Sequence, residues 1–148
     1  MTSQLGPLLL ESIKEVFDWL RPGPQSSVRH LKTNKQYRVP RKVILPYGVD
    51  ARFSAGFQLR HSIEGNLRSL GNVLSLLDGQ GVQHYPHDLY TQLRDDFRSA
   101  RPGLLIFTPY LFAKGFKNGN LHLEFRRQDL LDRLNALGGD TRLPDQER

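Results

Sequence analysis

Residues 116–125 read FKNGNLHLEF, and the arrangement of the whole C-terminal half depends on where this stretch turns. Asn118-Gly119 is the preferred pair for a two-residue type I′ turn, in which both residues take positive φ. With that turn, Lys117 lies opposite Asn120, Phe116 opposite Leu121, Gly115 opposite His122 and Phe112 opposite Phe125. Side chains alternate along a strand, so Phe112, Phe116, Leu121, Leu123 and Phe125 share an apolar face. Lys117, Asn120, His122 and Glu124 share the polar one. Lys114 falls on the apolar side, an irregularity that a bulge near Gly115 would absorb.

In this register His122 faces a glycine, with Lys117 and Glu124 on the same face. One reading makes His122 a solvated residue of an amphipathic strand. The other makes Asn118, Gly119, Asn120 and His122 a hairpin site. Histidine titrates near neutrality, so a catalytic version of that site would use His122 as acid–base and Lys117 as a cation. No catalytic residue is assigned on this basis.

Upstream, Leu9, Ile13, Val16, Phe17 and Leu20 recur at helical spacing and predict a helix over about residues 5–20. The stretch RPGPQSS at 21–27 ends it. KQYRVPRKVILPY at 35–47 is strand-like, and Pro40 and Pro46 point to an edge strand or a bulge. Leu59, Ile63, Leu67, Leu70, Leu74 and Leu77 predict the main buried helix, stopped by Asp78-Gly79 and packed on Phe112, Phe116, Leu123 and Phe125. A shorter helix follows over 87–99, then the hairpin within 104–125, then a helix over 128–137 closed by Gly138-Gly139. The resulting expectation is an α+β fold, a small antiparallel sheet made of the C-terminal hairpin and one edge strand, packed against three to four helices. Residues 1–139 form a single domain and 140–148 a frayed tail.

The chain has 148 residues, 38% hydrophobic and 24% charged, a composition of folded domains. It has no cysteine, which excludes disulfides, thiolate nucleophiles and iron–sulfur ligation. No apolar run spans a bilayer, and the N-terminus lacks the basic start of a signal peptide, so a cytoplasmic protein without a membrane partner is expected. His84, His87 and Asp88 cluster in HYPHD, but no matching ligand pair accompanies them. Asp88 is read as a helix N-terminal residue, and no metal or cofactor is expected.

The net charge of +6 is concentrated. Between Asp18 and Asp50 there is no acid, while Arg21, Arg29, Lys32, Lys35, Arg38, Arg41 and Lys42 all fall there. With Tyr37 and Tyr47 among them, these cations can track a phosphate backbone and stack bases. The bland alternative is an edge strand kept from aggregating by charge. Arg29, Lys32, Lys35, Tyr37, Arg38, Arg41 and Lys42 are therefore the candidate nucleic-acid contacts.

FKNGNLHLEF followed by RRQDLLDRLN resembles the end of an uncharacterised family, domain of unknown function 4942. The resemblance extends to LKTNKQYRV at 31–39 and LRSLGNVLSLLDGQ at 67–80, and Asn118, Gly119, Asn120 and His122 are its most specific part. It implies a phage or plasmid setting, often beside DNA-methyltransferase-like modules, and no established activity. This chain carries no cofactor-binding Gly-rich turn and no Asn-Pro-Pro-aromatic tetrad, so it is not a methyltransferase on its own. The functional expectation is a small, basic, non-catalytic nucleic-acid-binding protein of mobile-element origin. Its rivals are an inhibitor that docks on an acidic host defence complex and a small metal-independent ribonuclease.

Overall fold

The computed structural model describes residues 6–20, 38–52 and 55–140. Within them the chain forms helix α1 (Pro7–Leu20), strands β1 (Lys42–Leu45), β2 (Val49–Ala51) and β3 (Phe57–Leu59), and helices α2 (Glu64–Leu77) and α3 (Leu89–Phe97). Strands β4 (Ile106–Phe107), β5 (Leu111–Gly115) and β6 (Leu121–Phe125) and helix α4 (Gln128–Asp140) follow. The fold is α+β: an antiparallel sheet in the order β1-β6-β5-β4 and a separate β2-β3 hairpin, packed with the four helices. No helix among the described residues is long and apolar enough to cross a membrane.

The helical spacing was a sound guide to α1, whose Ile13, Val16, Phe17 and Leu20 are buried. The long stripe was only partly one helix. Leu67, Leu70, Leu74 and Leu77 line α2, whereas Leu59 lies in β3 and Ile63 in a 3-10 turn at 61–63. All six reach the same core, so their spacing does not reveal where strand gives way to helix. Helix α2 packs on α1, α3 and α4, and full burial of each such leucine contributes about 1.5–3 kcal/mol. Strands β2, β3 and β4, of three, three and two residues, were missed because so few positions show no period.

Asp78 both stops α2 and ties it down. Its backbone N–H returns to the Leu74 carbonyl, and its carboxylate accepts from the Tyr110 hydroxyl at 2.8 Å and from Arg127 Nη1 at 2.7 Å. Arg133 Nη1 donates to the Leu77 carbonyl at 2.7 Å, so the end of α2 is fastened to α4. Asp88 is the N-cap of α3, as its sequence position implies: Oδ2 accepts from the Thr91 N–H at 3.1 Å and from Arg68 Nη1 at 2.7 Å. Such a cap is worth about 1 kcal/mol. Burial pushes the Asp88 carboxyl up, but the Thr91 hydrogen bonds and Arg68 outweigh it and hold the group below its ordinary range. His84 and His87 beside it are exposed, and no three metal-ligating side chains converge among the described residues.

The final helix does not close at Gly138-Gly139 but runs through both to Asp140. Gly138 is there for proximity. A methyl group at that position would collide with the Phe17 ring, so its absence lets α4 lie close on α1. Residues 141–148 of the expected frayed tail lie outside the described residues.

Candidate nucleic-acid interface

The hairpin is present, but its register differs by one residue from the type I′ expectation. Leu111 pairs with Phe125, Phe112 with Glu124, Ala113 with Leu123, Lys114 with His122 and Gly115 with Leu121. The Phe116 N–H donates to the Asn120 carbonyl at 3.1 Å, and the Gly119 N–H to the Phe116 carbonyl at 2.9 Å. Gly119 has φ +96°, while Asn118 is not in the positive-φ region. This is a three-residue loop with glycine at the left-handed position, the next most common hairpin connection after the two-residue turns.

A one-residue slip exchanges the faces of a strand. Leu111, Ala113 and Gly115 of β5 join Leu121, Leu123 and Phe125 of β6 on the buried face. Phe112 and Phe116, expected in the core, are only half-buried. Phe112 lies beside Glu124 on the outer face, and the Phe116 ring packs on the His122 imidazole with centroids 4.6 Å apart. Lys114 likewise turns outward, and the ladder is regular from Leu111 to Gly115, so the bulge is not needed.

Strand β1 joins the other side of β6 as an edge strand, as Pro40 and Pro46 implied, with Lys42 opposite Glu124 and Ile44 opposite His122. Phe107 of β4 stands opposite Phe112. The outer face therefore carries two rows: Ile44, His122 and Lys114 in one, and Lys42, Glu124, Phe112 and Phe107 in the other. Phe107 is 60% exposed and meets Phe112 edge-on, with centroids 5.2 Å apart and planes at 88°. The Arg126 guanidinium lies 5.1 Å from the Phe112 centroid and 6.0 Å from that of Phe107, while its Nη1 donates to the Thr108 carbonyl at 2.7 Å. Contacts of a cation with an aromatic face contribute about 0.5–1 kcal/mol at exposed sites and hold the ring in place. Lys42 and Lys114 make no ion pair with any described residue. Between them lies a shallow depression bordered by Leu105, Phe112, His122 and Glu124.

Of the candidate contacts read from the sequence, Arg29, Lys32, Lys35 and Tyr37 lie outside the described residues. Arg38 and Lys42 are exposed. Arg41 is exposed too but engaged: its Nε donates to the Phe125 carbonyl at 3.0 Å, and its own carbonyl accepts from the Phe125 N–H at 2.9 Å. It fastens β1 to the end of β6. Asn118, Gly119 and Asn120 build the turn, since Asn118 Oδ1 accepts from the Asn120 N–H at 3.0 Å. The Gly119 carbonyl takes the N–H groups of Gly48 and Val49 at 2.9 and 3.2 Å, which moors the turn on the link between β1 and β2.

His122 and Lys117 are not brought together. Lys117 borders a cleft beside β2 and β3, whereas His122 lies on the outer sheet face with Lys114 as its cross-strand neighbour. Lys114, Phe107, Phe112 and Arg126 were missed as site residues. For Phe112 and Lys114 the signal was the period of two in LFAKG, which only the correct register assigns to a face.

No curated protein and no solved structure matches this chain. A family model does match, over residues 1–142. The chain belongs to the family described as Domain of unknown function (DUF4942).

Proposed function

We propose that the protein is a non-catalytic binder of single-stranded nucleic acid that receives the strand on the outer face of its four-stranded sheet, in the mobile-element setting that the family resemblance implies. The observation that carries this reading is the exposed Phe107 ring, held on Phe112 and Arg126, with Lys42 and Lys114 on the same face of the sheet. A ring presented on a sheet face can stack a base only where that base is not already enclosed in a duplex, and such stacking contributes about 1–3 kcal/mol. The three cations lie where a phosphate backbone would pass. In the sequence, the segment from Arg21 to Lys42 holds seven cations and no acid, and Lys42, its last residue, opens β1.

Fluorescence anisotropy of a labelled single strand, titrated at several salt concentrations, tests the proposal. Neutralising three phosphates gives a slope of roughly −2 in log affinity against log salt. Lys42→Glu combined with Lys114→Glu should abolish binding and leave the fold intact, because neither side chain holds a described ion pair. Arg41 is unsuited to such a test, since its guanidinium fastens β1 to β6. Salt-independent affinity, or full binding by the double variant, would refute the reading.

The pairing of Lys114 with His122 favours a second reading, a metal-independent ribonuclease in which these two residues act on a phosphodiester. Cleavage of RNA in EDTA, lost in His122→Ala, would replace the binding role with that one. Retention of a host protein after nuclease treatment of a lysate, with no binding of oligonucleotides, would point instead to a protein target.

A further inference from the structure

We propose that a second cleft, framed by Arg52, Arg101 and Lys117, binds the phosphate monoester of a nucleotide. The inference does not rest on the sheet-face reading, because none of these residues belongs to that face.

The three cations come from three separate segments: the end of β2, the loop between α3 and β4, and the turn between β5 and β6. Among the described residues no carboxylate lines the cleft, and none of the three makes an ion pair. Neighbouring arginines differ. Arg94 and Arg98 are matched by Asp95 at 3.2 and 3.9 Å, and Arg60 by Asp50 at 2.9 Å. Like charges gathered without a counter-ion repel one another, and a bound anion relieves that repulsion.

Each of the three segments is held by backbone contacts. Gly56 of the β2-β3 hairpin seats against the Arg98 carbonyl, where any side chain would collide. The loop carrying Arg101 is fixed by the Gly103 N–H, which donates to the Gly115 carbonyl at 2.9 Å. The turn carrying Lys117 is moored through the Gly119 carbonyl on Gly48 and Val49. The backbone that carries each cation is thus held before a ligand arrives, and the exposed side chains are what a ligand would order.

Charge and shape together specify the ligand. Two guanidinium forks and an ammonium suit a phosphate dianion better than a single carboxylate. The cleft measures about 290 Å³, at the lower end of small-molecule sites and larger than inorganic phosphate needs. Ala51, Ala55 and Pro102 give it an apolar wall, against which a nucleoside can lie. The phosphate monoester could belong to a free nucleotide or to the 5′ end of a strand.

The test is titration of the full-length protein with AMP and with adenosine, followed by amide chemical shifts in NMR. AMP should saturate, with shifts centred on Arg52, Arg101 and Lys117, and should bind more tightly than adenosine. The triple variant Arg52→Gln/Arg101→Gln/Lys117→Gln should lose about tenfold or more in AMP affinity, and Lys14→Gln on the exposed side of α1 should lose none. The three single substitutions are measured alongside, so that poor folding of the triple variant does not leave the question open. Equal binding of AMP and adenosine, no saturation, or unchanged affinity in the variants would overturn the proposal. A 5′-phosphorylated oligonucleotide that outcompetes its 5′-hydroxyl counterpart, in the wild type but not in the variants, would identify the strand end as the source. Equal binding of the two oligonucleotides, with AMP binding retained, would identify a free nucleotide.

Discussion

Lys114 stands directly across from His122 on adjacent antiparallel strands, with both side chains half-buried on the outer face of the sheet. Cross-strand partners in such a ladder lie about 4.5–5.5 Å apart at Cβ, so the ammonium and the imidazole share one surface. The pairing follows from the Phe116–Asn120 closure of the hairpin and from the left-handed Gly119. Through it, one turn residue determines which side chains of β5 meet solvent.

The two turn residues should therefore respond unequally to substitution. Gly119→Ala forces a side chain into positive φ and should cost roughly 1–3 kcal/mol. Asn118→Ala removes only the hydrogen bond to the Asn120 N–H and should cost about 0.5–1.5 kcal/mol. Urea unfolding of the two variants measures the difference. Losses of equal size, with both residues behaving as positive-φ positions, would restore the two-residue turn and its register.

Adjacent glycines in α4 should show opposite signs. Gly138→Ala drives a methyl group into the Phe17 ring and should destabilise by about 1–3 kcal/mol. At Gly139 the added methyl meets nothing within 4 Å, so Gly139→Ala should stabilise by about 0.5–1 kcal/mol through helix propensity. Thermal unfolding of both variants checks the close seating of α1 on α4. A Gly138→Ala protein as stable as the wild type would show that the two helices are further apart.

Stability should also depend on the charge of Asp78. The Tyr110 hydroxyl donates to its carboxylate, and Arg127 adds a second hydrogen bond, so the group is held below its ordinary value of 3.8. In the unfolded chain it returns to that value. The stabilisation is thus complete above the unfolded pKa and is lost as pH falls through the lower, folded one. Urea unfolding of the wild type and Asp78→Asn should show a constant gap from about pH 7 to about pH 5 that closes in stronger acid. A gap that persists undiminished into strong acid would separate Asp78 from this role.

The elements that could be read from the sequence are those in which many residues repeat one period. α1 and the body of α2 announce themselves through buried positions at every turn, and α3 through the Asp88 cap that starts it. β2, β3 and β4 are too short to show alternation, and Leu59 and Ile63 fell into step with α2 by the coincidence of a shared core. The outer face was hidden by a single choice of turn. NG serves a two-residue and a three-residue loop alike, and the two place Phe112, Lys114 and Phe116 on opposite sides. The Arg52, Arg101 and Lys117 cleft could not be read at all, because its parts are joined only by tertiary contacts. Arg38 and Lys42 are exposed, as the charge run implied, whereas Arg41 is tied into the fold by its contacts with Phe125.

The most direct test of strand binding on the sheet is photo-cross-linking of a 5-bromouridine-substituted single strand to the full-length protein, with the attachment sites mapped by mass spectrometry. Attachment should concentrate on Phe107, the exposed ring of the outer face, with flanking products at Phe112, and Lys42→Glu combined with Lys114→Glu should remove it. Absence of cross-links, or cross-links confined to the exposed side of α1 while β4 and β5 stay unmarked, would contradict the account.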